Sequence, residues 1–209
     1  MAMKDENETT GATPGDDAAG LIQTQLIDKR ARDAAELEAI DLAYQKYVFN
    51  PRGKRLENGW LSDRLIRQVH ADMFGTIWAW AGIYRNKPLN LGIAPHLIRD
   101  QIQALCGDFS YWNSPAWSMD IIEIAARLQN RLTRIHPFTN GNGRHARLIT
   151  DIFFDSRQHQ LPQWPQIQLM THGDIIRKRY IAAMKKADQE DFAELIALIQ
   201  EWTPTRPTR

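Results

Sequence analysis

Apolar residues recur at three- and four-residue spacing along most of this chain, which predicts a series of amphipathic helices. Between Ala34 and Phe49 the stripe is Leu37, Ile40, Ala43, Tyr44 and Val48. Asn50-Pro51 ends it, because proline disfavours helical backbone in the residue before it. Ser62 reads as the N-cap of a second helix with Leu65, Ile66, Val69, Met73 and Phe74 on one face. Trp78 to Arg85 reads as a short helical or turn segment. Helical spacing resumes from Pro95 to Trp112, and Asn113-Ser114-Pro115 breaks it. Ser118 then caps a strongly periodic segment with Ile121, Ile122, Ala125, Leu128, Leu132 and Ile135 inward. Further helices are predicted over Arg144–Phe154, Asp174–Ala187 and Asp191–Trp202, with Leu161–Pro165 a rigid loop. Only Pro88–Ala94 alternates like a strand, around Gly92, and it is too short for an independent sheet. The fold class is therefore all-α with one small β-hairpin flap.

Composition sets outer bounds on this picture. The chain of 209 residues fits one domain with a sizeable core. Residues 1–20 are acidic, carry Gly, Thr and Pro, and lack large apolar residues after Met3, which predicts a disordered tail. A helical segment over 21–58, a main domain over 59–203 and a disordered tail over 204–209 follow. With 26 basic and 25 acidic residues, no global field points to nucleic acid or to an anionic membrane, so any anion site must be local. A single cysteine, Cys106, excludes an intrachain disulfide framework and sits in an apolar helical pattern as a structural thiol. No apolar run reaches the ~18 residues of a membrane span and no basic-then-apolar leader opens the chain, so a cytoplasmic location is expected.

The chemistry concentrates in His136-Pro137-Phe138-Thr139-Asn140-Gly141-Asn142-Gly143-Arg144-His145-Ala146-Arg147. Pro137 stops the preceding helix and leaves His136 at its last turn. Gly141 and Gly143 let backbone amides converge at the N-terminus of the next helix, where free N–H groups and the helix dipole attract an anion. Arg144 and Arg147 can add two guanidinium forks, a set suited to an oligophosphate. His136 has a reference pKa of ~6.5, suited to proton abstraction near neutrality. Phe138 reads as a core plug that pins the loop. The same residues also admit a plain Gly-Asn-Gly turn beside a structural histidine. His136 and His145 as metal ligands lack a visible third partner. Arg177-Lys178-Arg179-Tyr180 reads as a solvated helix face, with Tyr180 an analogy-only candidate to line a base pocket. The seven tryptophans are scattered as core anchors, with no stacking platform for nucleic acid.

This twelve-residue stretch resembles the signature HxFx(D/E)GN(G/K)RxxR of the Fic, or Fido, family, and Trp80-Ala81-Gly82-Ile83-Tyr84-Arg85 resembles the family's upstream WAGxYR segment. The HPFxNGNGRHAR form resembles the mobile mystery protein B type. The resemblance covers roughly residues 60–190. It implies a helical Fic fold, with Lys87–Ala94 as a substrate-clamping hairpin. The implied activity is protein adenylyltransfer: AMP moves from ATP to a Ser, Thr or Tyr hydroxyl of a target protein. His136 would be the general base, and Gly141, Asn142 and Gly143 would hold phosphate. Arg144 and Arg147 would engage the β- and γ-phosphates. Asn140 departs from the pattern, since the family has Asp or Glu there to assist Mg²⁺; a neutral amide weakens or alters that metal site. The alternative is a degenerate Fic domain, a nucleotide-binding or toxin–antitoxin-type interaction module. No (S/T)xxxE(G/N) inhibitory sequence occurs in the chain. Glu36 and Glu38 lie where an N-terminal inhibitory helix would, although a solvated face is the simpler reading. Control by a separate antitoxin-like partner, and self-association, stay open as partner expectations.

Overall fold

A computed structural model describes residues 20–23, 25, 28–49, 60–115 and 118–204. The sequence expectations for residues 1–19 and 205–209, and for the stop at Asn50-Pro51, lie outside the described residues. Eight α-helices occur among the described residues: α1 (Lys29–Tyr47), α2 (Asp63–Phe74), α3 (Ile98–Trp112), α4 (Ile121–Ile135), α5 (Asn142–Ser156), α6 (Gln166–Met170), α7 (Ile175–Ala187) and α8 (Ala193–Trp202). Side chains satisfy several of their first N–H groups. Asp28 accepts from Ala31, Ser62 from Leu65, and Asp174 from Ile176. The cap of α4 is Asp120, which accepts from Ile122 at 2.8 Å, and not the expected Ser118.

α4 and α5 form the centre and pack extensively on each other. α2 and α3 close one side, α7 and α8 lie against α4, α6 packs on α7, and α1 crosses α2. Ile66, Val69, Phe74, Ile102, Leu105, Phe109, Leu128, Leu148 and Phe153 are fully buried between them. Each such side chain contributes roughly 1.5–3 kcal/mol by leaving water. Cys106 sits half-buried beside this core, and desolvation raises its thiol pKa to about 11, as expected for an inert structural thiol.

Two expectations need correction. The β-hairpin flap does not form: residues 87–94 run as bends without strand pairing, and the only β-bridge among the described residues joins Leu21 to Trp78. The segment is held instead by Arg85, whose guanidinium donates to the carbonyls of Lys87 and Ile93. The inward face of α1 also differs from the apolar stripe. Ala39 and Ala43 are buried, but Arg32 and Glu36 join them, while Leu37 and Leu42 are exposed. Polar contacts to α5, described below, set the orientation of α1.

Candidate active site between the signature loop and α7

The loop that joins α4 to α5 is held from within. His136 caps α4 in the left-handed region, with φ 52° and its N–H donating to Leu132. A non-glycine residue there is uncommon and needs surrounding support. Arg85 supplies it: its Nε donates to the His136 carbonyl at 2.7 Å. Gly92 is a second contact. A Cβ there would lie 2.4 Å from the Cβ of His136, so the bent 87–94 segment can approach only because residue 92 is glycine. Phe138, fully buried, stacks on His70 with ring centroids 3.6 Å apart, as its role of core plug requires.

The Asn142 side chain closes a reciprocal pair with Phe138: it accepts from Phe138 N–H and donates to the Phe138 carbonyl, both at 2.9 Å. The pair braces the loop backbone and uses one of the two Nδ2 protons. His70, which the sequence reading did not single out, holds the loop from below. The Gly82 N–H donates to its Nδ1 at 2.9 Å, so Nε2 carries the proton and donates to the Asn140 carbonyl at 3.0 Å. Burial and the neighbouring His145 keep His70 neutral, with a pKa well below its ordinary value. His145 is spent similarly, with Nε2 2.9 Å from the Ile66 carbonyl, which argues against its being a metal ligand.

His136 is among the residues that line a cavity. Nδ1 lies 3.3 Å from the Thr133 carbonyl, an acceptor only, so Nδ1 is the protonated nitrogen. Nε2 is then a lone-pair acceptor, buried and without a hydrogen-bond partner. Desolvation lowers the His136 pKa to about 4, aided by the nearby Arg85 charge and opposed by the Thr133 contact. The imidazole is neutral across the physiological range.

The cavity measures about 390 Å³ and is lined by Gly92 and Ile93 of the bent segment, His136, Gly143 and Arg147, and by Arg177, Tyr180 and Met184 of α7. α5 begins at Asn142 after Gly141, at φ 77°, with no side chain capping it. An uncapped N-terminus opening beside a cavity offers N–H groups to an anion. Arg147 is 4% exposed; Nη2 donates to Gln166 at 2.8 Å, while Nε has no partner. Asp151 lies one turn further along α5 and accepts from Tyr44 at 2.7 Å and from Trp164 Nε1 at 2.8 Å. Burial raises its pKa to about 7, so it neutralises Arg147 incompletely near neutral pH.

Of the residues expected from the sequence, the fold gathers His136, Gly143 and Arg147 around one cavity. The four others, Asn140, Gly141, Asn142 and Arg144, make contacts within the fold. The Gly141 N–H donates to Asn140 Oδ1 at 2.7 Å, so that amide is already satisfied. Arg144 turns towards α1: its Nη1 donates to Glu36 Oε2, and its guanidinium stacks 4.8 Å from the Phe74 ring centroid. Glu36, 7% exposed, also accepts from Trp78 Nε1 at 2.6 Å, whereas Glu38 is exposed. As for Mg²⁺, Asn140 offers one neutral side-chain oxygen that already accepts an N–H. Among the described residues no cluster of three His, Cys, Asp or Glu forms a metal site. The protein groups do not fit a protein-held Mg²⁺.

The geometry is that of a helical domain that presents an anion-receptive helix N-terminus, a buried arginine and a neutral histidine to one cavity. Residues 60–154 match the Fic/DOC family. The N-terminal FIC domain of Bep8, a VirB-translocated effector of Bartonella sp. 1-1C, superposes with a TM-score of 0.65 at 14% identity, covering 87% of this chain and 89% of that one. BepC of Bartonella tribocorum, solved with bound AMPPNP, gives a TM-score of 0.62 at 16% identity over 88% of this chain and 91% of that one. Among curated proteins, a uridine 5'-monophosphate transferase of Xanthomonas campestris pv. campestris (strain 8004) is 34% identical over 76 residues, 35% of this chain. The matched stretch spans only 14% of that transferase. α6, α7 and α8 lie beyond the family match, yet α6 and α7 supply a wall of the cavity. No helix among the described residues is long and apolar enough to cross a membrane.

Proposed function

We propose that this protein is a nucleotidyltransferase that moves a nucleoside monophosphate, AMP from ATP in the first instance, to a Ser, Thr or Tyr hydroxyl of a target protein. The observation that carries this reading is the buried, unpartnered Nε2 of His136, a residue that lines the cavity beside an uncapped helix N-terminus. A site that only bound phosphate would gain from a donor there; a neutral acceptor suits removal of a proton. His136 Nε2 takes the proton of the target hydroxyl, whose oxygen attacks the α-phosphorus. The bond to the leaving pyrophosphate breaks as the N–H groups of the first turn of α5 and the Arg147 guanidinium stabilise the charge. The AMPPNP bound by one structural neighbour supports a nucleotide as the ligand class. The uridine 5'-monophosphate transferase among the relatives makes UTP the alternative donor.

Asn140 favours a second reading, a domain that binds nucleotide with weak transfer, because it contributes no carboxylate for Mg²⁺. One experiment separates the two. The protein is incubated with α-labelled ATP, UTP, GTP or CTP plus Mg²⁺ or Mn²⁺, alone and with cell lysate, beside His136→Ala. Label transfer by the wild type and its loss in the variant is the expected result; binding without transfer from any nucleotide would establish the second reading.

A further inference from the structure

The wall of the cavity opposite the signature loop comes from α7, outside the segment that defines the family. Its residues belong to Arg177-Lys178-Arg179-Tyr180, whose spacing suggests a solvated face. The structure divides that run. Lys178 and Arg179 are exposed, whereas Tyr180 is 7% exposed and lines the cavity together with Arg177.

Three residues that line this one space carry a buried polar atom without a hydrogen-bond partner of ordinary geometry, His136 Nε2, Arg147 Nε and Tyr180 Oη, and the Tyr180 hydroxyl lies beside the Arg147 guanidinium. Buried polar groups are ordinarily satisfied, so under-satisfied groups on three residues of one cavity fit a ligand with matching groups. Arg147 and Arg177 face the same cavity from different helices, and each raises the cost of charge on the other; with desolvation, this lowers the Arg177 pKa. An arginine that donates to the Leu169 carbonyl is also fixed in place on the α6 side. Lys185 and Arg134 line the cavity as well. Asp188 is the one acid that lines it, and Asp188 is exposed and accepts from Asn130 at 2.9 Å. Two guanidinium groups beside a phenol hydroxyl form a receptor for a multiply charged, oxygen-rich anion.

We infer that Arg177 and Tyr180 of α7 form, with Arg147 of α5, a clasp for the outer phosphates of the nucleotide. The site thereby selects a nucleoside di- or triphosphate over a monophosphate. This rests on the nucleotide reading above and extends it to residues that the signature does not contain. Tyr180 acts here through its hydroxyl, on phosphate, rather than as a platform for the base.

The test measures binding of ATP, AMP and inorganic tripolyphosphate by calorimetry to the wild type, Arg177→Gln and Tyr180→Phe, with a thermal melt of each. Loss of one charge-assisted contact is expected to weaken ATP and tripolyphosphate by roughly tenfold or more in Arg177→Gln. AMP should change by less than about twofold on the same reasoning. Tyr180→Phe, which keeps the packed ring, should weaken the same two ligands by a smaller factor and so decides the matter if Arg177→Gln does not fold. Equal loss for AMP and ATP, or no loss in either variant, would overturn the clasp. If the wild type binds tripolyphosphate but no nucleotide, and Arg177→Gln loses it, the clasp stands and the nucleotide reading falls. Failure to bind any of the three would overturn both.

Discussion

Arg144 and Arg147 leave α5 one turn apart and carry the same charge, yet they meet opposite surroundings. Arg144 faces α1, where Glu36 receives it and the Phe74 ring covers it. Arg147 faces the cavity, where Gln166 gives it a neutral partner and its Nε waits unpaired. The first is a finished structural contact. The second is a contact that a ligand completes. The difference shows that two residues equivalent in a sequence signature can divide between holding the fold and holding the substrate, according to what the neighbouring helices bring to each.

The sharpest way to break this comparison is to neutralise each arginine in turn. Arg147→Gln is expected to weaken ATP binding by about a hundredfold, from loss of one or two charge-assisted contacts, with a small change in melting temperature. Arg144→Gln should do the reverse: it leaves Glu36 buried without its cation, at a cost of up to about 3 kcal/mol, while ATP binding holds within a few-fold. Calorimetry and thermal melts on both variants check this, and equal losses of affinity would erase the distinction.

From the α1 side, Glu36→Gly removes the acid that holds Arg144. The expected outcome is a lower melting temperature with auto-labelling per folded molecule unchanged. A clear rise in labelling would mean that α1 restrains Arg144 from the cavity, and that the two arginines are functionally alike after all.

Asn140→Asp tests the metal side of the loop. The new carboxylate can still accept the Gly141 N–H and adds a second, charged oxygen for Mg²⁺. Mg²⁺-dependent transfer is expected to rise several-fold in a titration of metal against label incorporated. Equal or lower activity would remove Asn140 as the weak point of the site.

The smallest effect concerns pH. His136 must be neutral to accept a proton, and its pKa is lowered to about 4. The acid limb of kcat/KM is therefore expected below pH 5, with little change between pH 6 and 8. The same depressed pKa has a consequence for stability. The unfolded histidine titrates near 6.5, so the contribution of neutral His136 is complete above that pH and is lost as pH falls towards 4. A pH–rate profile paired with pH-dependent melts separates the two, and a limb near pH 6.5 at constant stability would contradict the assignment.

Much of the fold was legible in the sequence because the helix stripes of α2, α3 and α4 are apolar and their burial follows the stripe. α1 was not, because its inward face is fixed by polar contacts. Glu36 turns in to meet Arg144 and Trp78, and Leu37 is left in water. The loop chemistry was legible as far as His136, Gly143 and Arg147, whose roles follow from backbone geometry at a helix start. It did not disclose that the Asn142 side chain braces the Phe138 backbone, nor that Arg85 holds the carbonyls of Lys87 and Ile93 in a segment without strand pairing. His70 and the α7 residues were not singled out as loop support or as outer-phosphate ligands, because their roles depend on contacts 70 and more than 30 residues away in the chain. A buried histidine in the stripe of α2 and a Tyr three residues after Arg177 were the available signals, and neither is distinctive alone.

The division between the two arginines can be observed directly. In a protein labelled with ¹⁵N-arginine, the Nε–H resonances of Arg144 and Arg147, assigned through the corresponding glutamine variants, are followed as ATP is added. The Arg147 resonance should shift with saturating behaviour as its unpartnered Nε–H meets phosphate, while Arg144 stays in place on Glu36. A shift of Arg144 with Arg147 unmoved would contradict the account.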